Sequence, residues 1–418
     1  MGYTENLIDF IGKSTDCYHA VKTAKDRLDE NGFTELFEGD KWEVQSGGKY
    51  YVIRNSSSII AFEMPKKDFG AFMICASHTD SPSFKLKPDF EINADGCIKL
   101  SVEGYGGMIM SSWLDRPLSI SGRIVTAKDG KLETKLVNID RDLLVIPSLA
   151  IHMSRDINKG YEFNIRRDMC PIASEKNGRI EDIIAENVGV DKEEILGFDL
   201  SLYNRMRGTV LGADGEYFSA PRIDDLQCMY STLEGFLNSE SDDNVTVFAA
   251  FDNEEVGSGT KQGAKSSFLR DVLERICNNS ETYKRAVAKS FMLSCDNAHA
   301  VHPNFADKSD GTNRVYMNGG IVIKYNANQR YTTDAVSEAV VKYVCKNAGV
   351  PYQMYANRSD IPGGSTLGNL SNEKVSLNTA DIGLAQLAMH SSYETAGSRD
   401  TEYMVKMIKE FYKTEIVL

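Results

Sequence analysis

Residues 245–262 have the sequence VTVFAAFDNEEVGSGTKQ, in which an apolar run ends at two adjacent carboxylates, Glu254 and Glu255, followed by a glycine-rich turn. An apolar run of this length without polar alternation predicts a parallel strand that is buried on both faces. In α/β enzymes, the loops at the carboxyl ends of such strands carry catalytic groups. One of the two acids can hold a metal ion while the other accepts a proton. A solvated acidic loop is the alternative interpretation of this segment taken alone.

Histidine is rare in this chain, with six copies, and most of them lie in segments of similar design. Four segments carry histidine or carboxylate side chains: AFMICASHTDSP with His78 and Asp80, SFMLSCDNAHAVHPN with Asp296, His299 and His302, IGLAQLAMH with His390, and SAPRIDDLQ with Asp224 and Asp225. A single histidine or aspartate at a strand end is more often a cap or a hydrogen-bonded core group. The recurrence of the pattern in a histidine-poor chain favours a metal site.

The types of side chain indicate which metal such a site would bind. Imidazole and carboxylate ligands without thiolate favour Zn²⁺, with Mn²⁺ or Co²⁺ as other occupants. The eight cysteines are scattered and form no C-x-x-C pair, so neither a zinc ribbon nor a disulfide framework is indicated. The sequence lacks an H-E-x-x-H helix, a G-x-S-x-G elbow and a Walker loop, which argues against zincin, serine hydrolase and P-loop chemistry.

The length and net charge of the chain limit the number of domains and the classes of function that it can have. A chain of 418 residues favours two domains. The net charge of −13 argues against nucleic-acid binding, which needs a basic surface. No apolar stretch approaches the roughly 20 residues that a membrane helix needs, and the first residues lack the features of a signal peptide. Together with cysteines that show no pairing pattern, these features predict a cytoplasmic protein.

The pattern of apolar residues predicts an α/β fold that is interrupted by a β-rich insertion. Helices are predicted at two places within 4–32, at 224–238, after Gly263, at 332–348 and at 400–414, and strands at 49–63, 70–77, 245–251, 289–295 and 319–325. Between Pro88 and Pro221, alternating runs separated by Gly and Asp-Gly predict β-hairpins, with a helical patch at 179–197. Residues 1–87 and 221–418 are predicted to form one catalytic domain around an inserted domain at 88–220, because His78 must join the later candidates in one site.

Nine longer motifs occur in order along the chain: SHTDSPSFKLKP, YGGMIMSSWLDRPLSISGR, PSLAIHMSRDIN, APRIDDL, FDNEEVGSGTKQGA, SCDNAHAVHPN, IKYNANQRYTTDAVSE, RSDIPGGSTLG and DIGLAQLAMHS. With these motifs the sequence resembles the aspartyl aminopeptidase family of zinc metallopeptidases over nearly its whole length, although residues 165–200 carry little of the likeness. The resemblance implies an α/β sandwich with a central mixed sheet, interrupted by a β-rich dimerisation and lid domain.

The resemblance also implies a role for each candidate in a two-zinc site. His78, Asp224 and Asp296 would bind one zinc, and Asp224 would be shared with a second zinc that Glu255 and His390 complete. Asp80 would orient the ring of His78, and Glu254 would act as general base. Two Zn²⁺ ions and three carboxylates leave a net positive centre, which acidifies a bound water molecule.

Four further residues match the substrate pocket of the same family: His152, His299, Lys324 and Tyr331. Lys324 would pair with an acidic N-terminal side chain, and a surface lysine at a strand end is its alternative interpretation. His152 would enter the active site of a neighbouring subunit in a homo-oligomer, a tetrahedral dodecamer built from dimers. His302 and His19 are interpreted as structural.

The expected activity is removal of N-terminal residues from peptide substrates, with a preference for Asp and Glu. Three alternatives remain open. Related two-zinc hydrolases include carboxypeptidases and small-molecule deacylases, which lack the lysine motif and the β-rich insertion. An aminopeptidase of neutral or broad specificity is the second alternative, and a catalytically silent oligomeric scaffold is the third.

Overall fold

A computed structural model of the chain describes residues 2–175, 178–241, 243–277, 279–361 and 363–416. The helices are α1 (Tyr3–Lys13), α2 (Cys17–Glu30), α3 (Ile165–Asp168), α4 (Ile180–Val188), α5 (Ile223–Leu237), α6 (Phe268–Ile276), α7 (Ser280–Lys289), α8 (Ala335–Ala348), α9 (Leu367–Ser371) and α10 (Asp400–Lys413). The strands are β1 (Thr34–Glu35), β2 (Lys49–Arg54), β3 (Ser58–Glu63), β4 (Phe72–His78), β5 (Ser83–Ala94), β6 (Cys97–Tyr105), β7 (Leu118–Lys128), β8 (Lys131–Asn138), β9 (Ile172–Ser174), β10 (Ile195–Asn204), β11 (Thr209–Leu211), β12 (Tyr217–Ala220), β13 (Val245–Phe251), β14 (Phe291–Cys295), β15 (Ala298–His299), β16 (Ile321–Tyr325), β17 (Tyr352–Ala356), β18 (Asn378–Gly383), β19 (Ala385–Leu387) and β20 (Glu394–Gly397).

The largest sheet has nine strands in the order β1-β2-β3-β13-β4-β14-β18-β16-β17. Its centre is parallel, since β13 pairs with β4, β4 with β14 and β14 with β18 in the same direction. Every residue of β13 and of β4 is buried. Helices cover both faces, so an uninterrupted apolar run is what a central strand requires, and the prediction for residues 245–251 is confirmed.

Alternate residues of β13 enter two separate cores. Phe248 and Ala250 pack with α1, α2, α5, α8 and α10 on one face, and Val247 and Ala249 pack with α6, α7 and α9 on the other. The apolar face of α10 lies in the first core, as predicted for residues 400–414. The mixed α/β fold class is therefore confirmed.

A second sheet has six strands in the order β8-β7-β10-β5-β6-β9 and its own hydrophobic core, which includes Phe84, Trp113 and Leu200. The hairpins β5–β6 and β7–β8 turn at Asp95–Gly96 and Asp129–Gly130, where all four residues have positive φ. Asp-Gly is favoured in two-residue hairpin turns because both residues tolerate positive φ. The two Asp-Gly pairs in the sequence therefore predicted the positions of these hairpins correctly. The sheet begins at Ser83, before position 88.

A third sheet, in the order β11-β12-β20-β19-β15, was not predicted. Its strands have two to four residues each and come from distant parts of the chain. A segment this short shows no periodicity, so the sequence gives no signal for it. Helix α7 and strand β17 were also missed. No helix in the described part of the chain is long and apolar enough to cross a membrane.

Candidate metal centre

The parallel strands of the large sheet deliver candidate ligands to one edge. His78 is the last residue of β4, Asp296 directly follows β14, and the carboxylates Glu254 and Glu255 follow β13. Carboxyl ends of neighbouring parallel strands meet at the same edge of a sheet. These side chains therefore approach one another although they are far apart in sequence.

Asp224 and His390 reach the same place from irregular backbone. Asp224 and Asp225 lie at the start of α5 with non-helical φ/ψ angles, joined by a cis peptide bond. His390 follows β19 with a φ of 65°. A non-glycine residue in the left-handed region costs on the order of 1–3 kcal/mol and persists only where its surroundings hold it.

Two clusters of potential metal ligands share Asp224. The first contains His78, Asp224, Asp225 and Asp296, and the second contains Asp224, Glu255 and His390, with the ligand atoms of each within 4.8 Å of one another. A further group combines His78 with Glu254 and Glu255. A carboxylate that belongs to both clusters has one oxygen to offer to each of them.

The distances between ligand atoms fit a metal ion better than direct ion pairs. His78 Nε2 lies 3.4 Å from Asp224 Oδ1, and His390 Nε2 lies 3.5 Å from Asp224 Oδ2 and 3.4 Å from Glu255 Oε2. Two ligands of one tetrahedral zinc are about 3.3–3.5 Å apart, whereas a charged hydrogen bond is typically about 2.7–2.9 Å long. The three separations therefore leave room for a cation between the atoms.

Unpartnered buried oxygens also fit a bound cation. Asp224 Oδ1, Asp225 Oδ1 and Glu255 Oε1 have no hydrogen-bond partner among the described residues. A buried carboxylate oxygen without a partner is destabilising unless a cation or proton compensates for it. The donor set of imidazole and carboxylate, without thiolate, suits Zn²⁺.

The charges of the cluster affect one another strongly. Burial raises the pKa of Glu254 to about 8, and the negative charges of Asp296 and Asp80 act in the same direction. Burial and the charge of Asp224 likewise raise the pKa of Glu255 well above its usual value. The site thus holds more acidic groups than it can ionise without cations.

His78 is oriented by the residue expected to orient it, but through a different atom. His78 Nδ1 lies 3.0 Å from the main-chain oxygen of Asp80 and 3.4 Å from its carboxylate oxygen Oδ1. The main-chain oxygen is the closer acceptor and fixes the proton on Nδ1, which leaves Nε2 free for a metal. The Asp80 carboxylate accepts the backbone N–H groups of Glu254 and Glu255 at 3.2 Å each.

Comparison with known proteins identifies the family. A model of the family described as Aminopeptidase I zinc metalloprotease (M18) matches residues 10–412. A protein of Clostridium acetobutylicum named as a probable M18 family aminopeptidase 2 is 45% identical over 428 residues, which cover 98% of this chain and 98% of the relative. The chain belongs to the M18 family of zinc aminopeptidases. It is therefore a hydrolase and a zinc metallopeptidase, and the resemblance stated from its motifs is confirmed.

A second curated relative and two solved structures each match 98% of this chain. A probable M18 family aminopeptidase 2 of Clostridium novyi is 44% identical and covers 98% of each chain. A solved structure of a complex of Ape4 and Nbr1 matches with a TM-score of 0.95 and 35% identity, over 98% of this chain and 85% of the other. The mApe1 dodecamer of S. cerevisiae matches with a TM-score of 0.86 and 29% identity, over 98% of this chain and 96% of the other.

Two residues that hold the centre of this M18 enzyme were missed in the sequence. Glu394 is buried and accepts the backbone N–H of Asp224 at 3.1 Å and that of His390 at 2.8 Å. Burial and the charge of Asp224 raise the pKa of Glu394 to about 8. Tyr105 donates its hydroxyl to Asp80 Oδ2 at 2.5 Å. Neither Glu394 nor Tyr105 follows an uninterrupted apolar run, so the pattern that identified the other candidates did not identify these two residues.

Asp225 was noticed beside Asp224 but given no role. It is fully buried, its Oδ2 accepts the backbone N–H of His78 at 3.1 Å, and its Oδ1 belongs to the unpartnered atoms described above. Burial raises its pKa well above the usual value. The sequence does not indicate which of the adjacent acids Asp224 and Asp225 belongs to both clusters. The backbone conformation at the start of α5 decides this, because it directs the two side chains to different partners.

The four expected substrate residues lie in different settings. Lys324 is buried, donates to the main-chain oxygen of Asn297 at 2.7 Å, and lies 3.7 Å from Asp296 Oδ2. Tyr331 is buried beside it, with the lysine ammonium 5.6 Å from its ring centre. His299 is exposed and lines a cavity of about 280 Å³. His152 is exposed in a turn between β8 and β9, outside the ligand clusters found in the described residues.

The two histidines interpreted as structural have local partners. His19 Nδ1 lies 2.8 Å from Asp16 Oδ2 near the start of α2. His302 Nδ1 accepts the backbone N–H of Asn304 at 3.2 Å. Both contacts stay within three residues along the chain, which is consistent with a role in shaping a helix start and a loop.

Proposed function

We propose that this M18 aminopeptidase uses two zinc ions. His78, Asp224 and Asp296 would hold the first, and Asp224, Glu255 and His390 the second. The observation that carries the proposal is the sharing of Asp224 between two ligand clusters with metal-like separations. Asp225 belongs to the same first cluster and is an additional candidate ligand there, while its other carboxylate oxygen accepts the backbone N–H of His78.

When bound, the zinc pair supplies an acidified water molecule and a position for the free α-amine of a peptide. Glu254 is the proposed general base, because it groups with His78 and Glu255 and its backbone N–H is held by Asp80. A carboxylate oxygen of Glu254 takes a proton from the water and delivers it to the departing amine nitrogen. Asp80 acts indirectly by fixing the backbone of both glutamates.

A preference for acidic N-terminal residues is the finer part of the proposal. The net charge of −13 repels acidic peptides, so a preference needs a local cation. Lys324 supplies one, since the three donors of its ammonium are not exhausted by the bond to Asn297 and the ion pair with Asp296. Broad specificity is the second candidate, and it is favoured by the same burial, because an ammonium that neutralises Asp296 has less charge to offer a substrate.

We also propose an assembly of dimers into a tetrahedral dodecamer, in which His152 enters a neighbour's site. Apolar side chains surround His152 on the surface, with Leu149 at 54%, Ile151 at 48% and Met153 at 75% exposure, which suits burial against another copy. Mixed oligomers of His152→Ala and Glu254→Gln subunits should regain some activity if His152 acts between chains. A cytoplasmic location fits the eight free thiols.

The proposed activity depends on a free α-amine, and this gives a direct test. Peptides with a free N-terminus should be shortened by one residue at a time, and matched peptides with an acetylated amine should not be cleaved. Elemental analysis of the same preparation should give close to two zincs per chain. Equal rates on the free and acetylated peptides would contradict the proposal, as would cleavage from the carboxyl end.

A further inference from the structure

Residues 105–112 begin at the last residue of β6 in the six-stranded sheet and contact several residues of the candidate metal centre. Tyr105 donates its hydroxyl to Asp80 Oδ2 at 2.5 Å and accepts the side-chain N–H of Asn253 at 2.9 Å. The Asp80 carboxylate in turn fixes the backbone of Glu254 and Glu255. A residue of the six-stranded sheet thus helps to set the position of both glutamates.

The same segment holds His390 at two points. The main-chain oxygen of Gly107 accepts the proton of His390 Nδ1, and Ile109 donates its backbone N–H to the main-chain oxygen of His390 at 3.0 Å. The first contact fixes the tautomer and turns Nε2 toward Asp224 and Glu255. The second supports a backbone with a φ of 65°, which a histidine rarely adopts without such support.

Gly106 completes the contact by its lack of a side chain. A Cβ atom at this position would lie 3.1 Å from the Cβ of Glu255, closer than ordinary van der Waals contact. The residue also has a φ of 72°. The absence of a side chain at Gly106 therefore lets the segment lie this close to a candidate metal ligand without strain or displacement of Glu255.

We propose that residues 105–112 position the second metal site, the one formed by Asp224, Glu255 and His390. The six-stranded sheet is then a structural part of the metal centre, in addition to any role in assembly. A shift of this sheet relative to the large sheet would move Glu255 and His390 through direct contacts, and it would reach His78 only indirectly, through Asp80. The inference rests on the two-zinc function proposed above.

Two glycines that flank β6 give a matched test. Gly106 and Gly96 both have positive φ, but a Cβ at Gly96 would meet no atom within 4 Å. Both alanine variants therefore strain the backbone, and only Gly106→Ala presses on Glu255. Competition with a chromogenic chelator should show one of two zincs released about 10–100-fold more readily from Gly106→Ala, with the other unchanged. Gly96→Ala should retain both zincs as the wild type does.

A second pair of variants, Tyr105→Phe and its control Tyr412→Phe, tests the inference if Gly106→Ala does not fold. Tyr105→Phe removes the hydroxyl that fixes Asp80, and Tyr412→Phe removes a buried hydroxyl that donates to Val247 at 2.7 Å in the core. Zinc binding should weaken about tenfold in Tyr105→Phe, with a circular dichroism spectrum like that of Tyr412→Phe, which should bind zinc normally. Equal zinc affinity within the folded pair would overturn the inference. A wild-type protein with fewer than two zincs would instead contradict the proposed function.

Discussion

The candidate ligands reach the metal centre from two kinds of backbone. His78 is the last residue of a buried parallel strand of the nine-stranded sheet, Asp296 directly follows another, and Glu254–Glu255 lie in a short turn after a third, so strand pairing fixes where these segments begin. Asp224 and His390 lie on irregular backbone that no strand register fixes. These two positions are held instead by buried polar groups, chiefly Glu394 and residues 105–112. The ligands on irregular backbone should therefore be the more sensitive to mutations outside the ligand set.

The largest effect is expected from the two adjacent glutamates that follow one strand. Glu254→Gln should lower kcat by roughly 10²–10⁴-fold with zinc still bound, because the amide cannot accept the proton. Glu255→Gln should instead weaken zinc binding itself, since Glu255 belongs to the cluster with Asp224 and His390. Steady-state kinetics and elemental analysis of both variants check this prediction. The reverse behaviour would mean that the roles of the two residues are exchanged.

A mutation of Glu394 tests whether the positions of Asp224 and His390 depend on the hydrogen bonds that this buried side chain accepts from their backbone N–H groups. Glu394→Gln keeps the shape but places an NH₂ group against the backbone N–H of either Asp224 or His390. Affinity for the proposed second zinc, which loses support at both Asp224 and His390, should fall about 10–100-fold, and the zinc at His78 and Asp296, which shares only Asp224, should be affected less.

Asp400→Asn is the matched control for this variant. Asp400 is also buried and accepts two backbone N–H groups, from Asn318 at 2.6 Å and Gly320 at 2.9 Å, but it contacts no candidate ligand. Its zinc titration should match that of the wild type. If Glu394→Gln and Asp400→Asn lose zinc equally, general destabilisation explains the loss and Glu394 has no specific role.

Lys324 lies beside a ligand on the regular, strand-end side. A desolvated lysine–carboxylate contact is worth about 1.5–3 kcal/mol, so wild-type enzyme should cleave N-terminal Asp and Glu on the order of ten- to a hundredfold faster than Leu. Lys324→Met should remove this difference by lowering kcat/KM on the acidic substrates. A uniform loss on all substrates, accompanied by weaker zinc binding, would show that Lys324 mainly supports Asp296.

Removal of zinc leaves the negative charges of the buried carboxylates uncompensated by a metal cation, and this changes the pKa values of nearby groups. In the metal-free protein, burial raises the pKa of Glu254 to about 8. Burial acts to lower the pKa of His390, but the carboxylate of Asp224 outweighs it and raises that pKa to about 9. Groups with a raised pKa hold extra protons in the folded state. Their stabilising contribution is complete below the unfolded pKa, and it is lost as the pH rises through the folded value.

The free energy of unfolding of the metal-free protein should therefore fall between about pH 5 and pH 8, by about 1.4 kcal/mol per pH unit for each extra proton. Zinc-loaded protein should show a much flatter profile, because the cations replace those protons. Urea denaturation at several pH values, with and without a chelator, measures both. A metal-free protein that became more stable toward pH 8 would contradict the prediction.

Prediction from the sequence succeeded for elements whose local pattern of apolar or turn residues is set by their place in the fold. The runs before His78, Glu254 and Asp296 were recognised as strands, and the structure has β4, β13 and β14 there. The Asp-Gly turns located two hairpins of the six-stranded sheet. The five-stranded sheet gave no signal, although β12, β19 and β20 flank Asp224 and His390.

The sequence by itself determined the α/β class and the family, and it supplied most of the candidate zinc ligands. Continuous apolar runs need burial on both faces, and imidazole with carboxylate is a zinc donor set, whatever surrounds them. Only the tertiary structure decided that Asp224 belongs to two clusters, that Glu394 holds two ligands, and that residues 105–112 reach His390. These contacts join residues far apart in the chain through hydrogen bonds that form only after the sheets have packed, so no local pattern encodes them.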